Sequence, residues 1–148
     1  MSFRVTGLPA EHFAPLFIMS DEELAERGPL RQIAGEWTSP CRVSLTDAEA
    51  GDEVLLVNYE HHPVDSPYRM RFAIFVRKGE GQYDAVDQVP EQLRLRTLAV
   101  RAFDDKAMMA GYEVVEGRDL EAAIERLFGQ PRAAYLHIHY AAAGCYAA

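Results

Sequence analysis

The sequence predicts an α+β domain: a mixed, mostly antiparallel sheet of about six to eight short strands with about two or three helices. Three observations lead there. Short apolar runs such as Val54-Leu55-Leu56-Val57 recur between turn-forming residues. One stretch, Leu120, Ala123, Ile124, Leu127 and Phe128, places its apolar side chains at helical spacing along a single stripe. Strand-like and helix-like segments then follow one another irregularly, without the strict alternation of a doubly wound sheet.

Taken in order, Phe3 to Thr6 reads as a first strand, and Pro9 opens a helical turn carrying Phe13, Leu16 and Phe17 that Pro15 keeps short. Ser20-Asp21-Glu22-Glu23 is a capping box, with Met19 and Leu24 placed as a hydrophobic staple and Gly28-Pro29 as the stop. Cys41 to Leu45 reads as a strand, Thr46-Asp47-Ala48-Glu49 as a second capping box opening one or two turns, and Glu53 to Tyr59 as a strand. Phe72, Ile74 and Val76 alternate with Arg71, Phe75 and Arg77, the pattern of a half-buried strand. Arg94 to Phe103 and Ala107 to Val115 form a hairpin around Asp104-Asp105-Lys106. The apolar stripe from Leu120 to Phe128 follows, stopped by Gly129 and Pro131, and Ala133 to Tyr140 is a last strand, expected to lie parallel to its neighbour after the helical crossover. Trp37 is expected to pack at the core edge, and Met108 and Met109 to fill the core.

The chain is 148 residues long with 49% hydrophobic and 26% charged residues, which suits one domain, 1–148, with a core of its own. It carries 23 acids against 15 Lys and Arg, a net charge of −8. A nucleic-acid partner is therefore not expected, because displacing counterions from phosphates needs a cationic surface. The imbalance sits in residues 1–65; residues 66–148 carry eleven charges of each sign and have room for a local arginine pocket for a small anion. No apolar run reaches the ~18 residues of a membrane span, and no apolar core of a secretory signal follows the N-terminus. The expected setting is cytoplasmic, with Cys41 and Cys145 reduced.

Three segments collect reactive side chains. His61-His62-Pro63-Val64-Asp65-Ser66-Pro67-Tyr68-Arg69 is a long connection stiffened by two prolines, a rigid surface loop or a loop that presents His62, Tyr68 and Arg69 to a ligand. In Tyr135-Leu136-His137-Ile138-His139-Tyr140, strand alternation puts Tyr135, His137 and His139 on one face, so two imidazoles reach one metal ion or one anion unless they are simply packed there. Pro40-Cys41-Arg42 and Gly144-Cys145-Tyr146 each set a thiol in context. Free cysteine is usually a small buried hydrophobe; as a nucleophile it needs a cation nearby. Signatures of phosphate loops, nucleophile elbows and zincin helices are absent from the sequence.

Pro40-Cys41-Arg42-Val43, the run from Leu55-Leu56 through Ser66-Pro67-Tyr68-Arg69 to Ile74-Phe75-Val76-Arg77, and His137-x-His139 followed by Gly144-Cys145-Tyr146 together resemble the bacterial family labelled domain of unknown function 1203. The resemblance covers almost the whole chain, including the arginine-rich strand from Arg94 to Arg101. It implies a compact bacterial domain and no particular activity.

Three functional expectations follow from the residues. The first is a pocket for a small anionic ligand lined by His137, His139, His62, Tyr68, Arg69, Cys41 and Arg42; its enzymatic form makes Cys145 the nucleophile, a histidine the base and Arg69 the anion clamp. The second is a zinc-type metal site on His137 and His139, with a third ligand from Cys145, Cys41 or the His61-His62 loop. The third is a non-enzymatic module that pairs as a homodimer through exposed strands or apolar surface.

Overall fold

Eight strands and four short helices build an α+β fold in which the strands form three antiparallel sheets rather than one. The structure is a computed structural model describing residues 1–148. A two-stranded ribbon pairs β1 (Arg4–Thr6) with β5 (Asp84–Val86). A second sheet runs in the order β2 (Leu30–Ile33), β3 (Glu53–His62), β4 (Met70–Arg77). The third has β6 (Thr97–Phe103) between β7 (Met109–Glu116) and β8 (Tyr135–Tyr140). The helices are α1 (Ala14–Phe17), α2 (Asp21–Arg27), α3 (Glu91–Arg94) and α4 (Leu120–Phe128).

The local signals act where the physics is local. Ser20 accepts a hydrogen bond from the Glu23 amide at 3.1 Å and Gly28 closes α2 in the left-handed region, so this helix begins and ends as its capping residues dictate. In α4 the stripe Leu120, Ala123, Ile124 and Leu127 is buried against the third sheet, each large side chain contributing roughly 1.5–3 kcal/mol. A second core lies between β3, β4 and the N-terminal helices, around Phe13, Leu24, Leu55 and Ile74.

Four expectations are corrected. β8 runs antiparallel to β6, not parallel: the chain descends α4 and returns beside β6 with Arg101 opposite His137 and Ala99 opposite His139. Cys41 to Leu45 is not a strand; Leu45 has a φ of 53°, which breaks the extended run, and only isolated bridges join Pro40 to Asp47 and Cys41 to Phe75. The second capping box opens no helix: the Thr46 hydroxyl that would cap it is engaged with Ser44 and Arg77 instead. Trp37 is 90% exposed rather than packed on the core edge. The buried Cys41–Leu45 segment instead presses against Gly7, whose missing side chain lets the Val43 carbonyl approach: a Cβ there would sit 2.0 Å from that oxygen.

Candidate functional site

Strand alternation does for β8 what the sequence requires. Tyr135, His137 and His139 face the same way, alongside Arg101 and Phe103 of their register partners on β6. Across from them comes the end of β3. A bulge between Tyr59 and His62 interrupts its pairing with β4, and His61 and His62 are both buried although they are consecutive. The bulge therefore brings a third imidazole, His61, to the pair on β8. Ligating nitrogens of His61, His137 and His139 all lie within 4.8 Å of one another. Tetrahedral zinc with Zn–N bonds of about 2.0–2.1 Å spaces its nitrogen ligands about 3.4 Å apart, so modest ring rotations close the set.

The surroundings of the three rings differ from those of an ordinary buried histidine. Nδ1–H of His139 donates to the Gly144 carbonyl at 2.9 Å, a bond that fixes the neutral tautomer and leaves Nε2 free. Gly144 offers that carbonyl from a turn with φ of 81°. Both ring nitrogens of His61 are buried with no hydrogen-bond partner; the Tyr59 backbone is near enough to influence the ring but outside bonding geometry. Tyr146 stacks on His61 at 4.7 Å and meets His137 and His139 edge-on, walling the cluster on one side. Burial holds the imidazoles well below their usual pKa, His137 at about 3 and His61 and His139 at about 4, and neighbouring rings with the Arg101 guanidinium push the same way. All three are neutral at pH 7, the form that offers a lone pair to a metal.

His62 plays another part. Its Nδ1–H donates to the Tyr68 carbonyl at 2.8 Å, so Nε2 accepts from the Tyr135 hydroxyl at 2.6 Å, and no lone pair remains. It packs edge-on against His137 at 4.7 Å and ties the 63–69 loop to β8. Ser66 pins the same loop by donating to the Ala107 carbonyl. Tyr68 then rests on Phe103 with 37% exposure. His62, Tyr68 and Phe103, with Met70, Arg69 and Arg101, line a cavity of about 250 Å³ in front of His61, His137 and His139.

A family described as "Protein of unknown function (DUF1203)" matches residues 38–148. The chain belongs to this family. The DUF1203 segment contains all three clustered imidazoles, the bulge and the loop, whereas β1, α1, α2 and β2 lie before it. No curated protein and no solved structure matches the chain.

The remaining sequence candidates fall outside this DUF1203 cavity or have lost their free groups. Arg69 is committed to Glu60 at 3.0 Å on the surface. Cys41 is fully buried, its thiol donating to the Ser39 carbonyl, and burial pushes its pKa up to about 12, so it stays protonated. Cys145 lines a different, larger cavity of about 530 Å³ together with Arg42, Arg96 and Tyr140. There Arg42 Nη2 donates to Cys145 Sγ at 3.0 Å, while Nε donates to the Tyr146 carbonyl at 2.7 Å and Nη1 to the Pro40 carbonyl. The thiols and the imidazoles are thus apart. Sequence reasoning missed Arg101, whose position on the arginine-rich strand looks like any other until its register with His137 is known.

Proposed function

We propose that the chain is a metal-binding protein whose centre is His61, His137 and His139, a zinc-type divalent ion held by three neutral imidazoles with its remaining position open to the 250 Å³ cavity. The observation that carries this reading is the convergence of the three ligating nitrogens within 4.8 Å, from two different sheets, with both His61 nitrogens buried and unpartnered. A buried polar atom without a partner costs about 1–3 kcal/mol, and a coordinate bond to a metal removes that cost. Three protein ligands plus an open position is the pattern of catalytic rather than structural zinc, where the ion lowers the pKa of bound water and polarises a bound oxygen. The Gly144 carbonyl behind His139 supplies the outer hydrogen bond that such ligands ordinarily have.

The test is metal analysis of protein purified without a histidine tag, followed by zinc addition to the metal-free form. About one equivalent of bound metal and a raised melting temperature with zinc are expected; sub-stoichiometric metal and no thermal shift would contradict the proposal. The proposal includes a cytoplasmic setting, for which both cysteines being free is the support. The homodimer reading has one observation in its favour: Tyr112 and Val114 stand exposed on β7, an edge strand. Sedimentation of the protein at high concentration as a monomer would remove it.

A further inference from the structure

Of the two arginines that line the histidine cavity, Arg101 is the one whose charge is left over. Arg69 has Glu60, but Arg101 has no carboxylate within ion-pair distance. Its only polar contact is a weak one, Nη1 to the Met70 sulfur at 3.7 Å. It stands directly opposite His137 in the β6–β8 register, so its side chain leaves the sheet on the same face as His137 and His139. No carboxylate lines this cavity. A half-buried cation beside three neutral imidazoles is poorly placed by itself, and a divalent ion would add more positive charge to the same space. The missing complement is negative.

Resting on the metal reading above, we infer that the cavity takes a small oxyanion, a carboxylate or phosphate group that coordinates the open position of the metal with one oxygen and accepts hydrogen bonds from the Arg101 guanidinium with another. The planar guanidinium fork matches such groups, and charge-assisted bonds of this kind are about twice as strong as neutral ones. The size of the space limits the rest of the ligand. At about 250 Å³ the cavity lies below the roughly 300–1,000 Å³ of pockets for drug-sized molecules, so the ligand is a small metabolite or a single acidic group of a larger one. Met70, Met109 and Phe103 give it apolar walls. Arg101 is a ligand-binding residue in this account, and Arg69, held by Glu60, is not.

The experiment uses the full chain loaded with cobalt(II), whose visible absorption reports changes in its inner coordination shell. Acetate and inorganic phosphate are titrated separately, which distinguishes the carboxylate from the phosphate source. Saturable spectral change is expected with at least one of them, weakened about 10–100-fold in Arg101→Gln, less in Arg101→Lys, and little changed in Arg69→Gln. Cobalt stoichiometry and circular dichroism of each variant establish that the centre is intact. Equal anion affinity in Arg101→Gln, or bound cobalt whose spectrum neither anion moves, would overturn this inference and leave the metal centre standing. Failure of the wild-type protein to bind cobalt would overturn both.

Discussion

β8 separates two buried polar regions that solve the same problem in opposite ways. On one face, Tyr140 belongs to a closed set of contacts. Its hydroxyl donates to Gln92, Gln92 donates to Asp47, and Asp47 accepts from Arg96. The guanidinium groups of Arg42 and Arg96 lie 5.1 and 5.3 Å from the Tyr140 ring centroid, and Arg42 spends its donors on two carbonyls and the Cys145 sulfur. On the other face, His137 and His139 meet His61, whose two nitrogens bond to nothing, and Arg101, whose charge has no counterpart. A satisfied buried set rigidifies a fold; an unsatisfied one costs stability and persists where something else completes it. The Arg42 side of the strand is thus a closed structural set, and the proposed function belongs to the His61 side, where groups are left over.

The largest expected effect comes from breaking the satisfied face. Arg42→Leu leaves the Pro40 and Tyr146 carbonyls and the Cys145 sulfur without their donor, in a place where Arg42 itself is only 2% exposed. Unsatisfied buried groups cost about 1–3 kcal/mol each, so urea denaturation should show a loss of roughly 3 kcal/mol or more. His61→Leu should do the reverse on the other face: metal-free stability within about 1 kcal/mol of wild type or higher, since an orphaned ring is removed, while zinc affinity falls at least about 100-fold. Competition with a chelator of known affinity reads the second quantity, and a wild-type zinc affinity in this variant would erase the contrast between the faces.

Acid sharpens the comparison further. In the unfolded chain the imidazoles titrate near 6.5, whereas burial holds them at about 3 to 4 in the fold. Between those values the unfolded state binds more protons, so metal-free stability contributed by keeping these rings neutral falls as pH drops from about 6.5 towards 4. Denaturation midpoints across this range should slope accordingly, and the slope should be shallower in His137→Leu. The smallest effect belongs to the loop. Tyr135→Phe removes the hydroxyl that donates to His62, for a loss of about 1 kcal/mol with zinc affinity little changed, because His62 lies outside the proposed three-imidazole centre. A large change in zinc affinity for this variant would move His62 into the metal shell.

How much of this was legible in the sequence follows the range of the forces involved. The α2 caps, the α4 stripe and the β6–β7 hairpin are written locally and read correctly. β2 and β5 were missed: β2 is an edge strand whose Leu30 and Ile33 stay exposed, and β5 has three residues, so neither carries an alternating signal. Cys41 to Leu45 carried a strand-like signal for the wrong reason, its apolar side chains being buried in a non-extended turn. In the site, the shared face of His137 and His139 needed only the period of a strand. The choice of His61 over His62 depended on a bulge, the isolation of Cys145 on the opposite face of β8, and the spare charge of Arg101 on which arginines find carboxylates; all three are tertiary facts.

The central claim, that three imidazoles and no thiol hold a metal, is tested most directly by X-ray absorption at the zinc edge on the zinc-loaded, untagged protein. Three imidazole nitrogens at about 2.0–2.1 Å with a further light atom in the shell is the expected result. Sulfur scattering at about 2.3 Å, or a shell of oxygen alone with no imidazole signature, would contradict it.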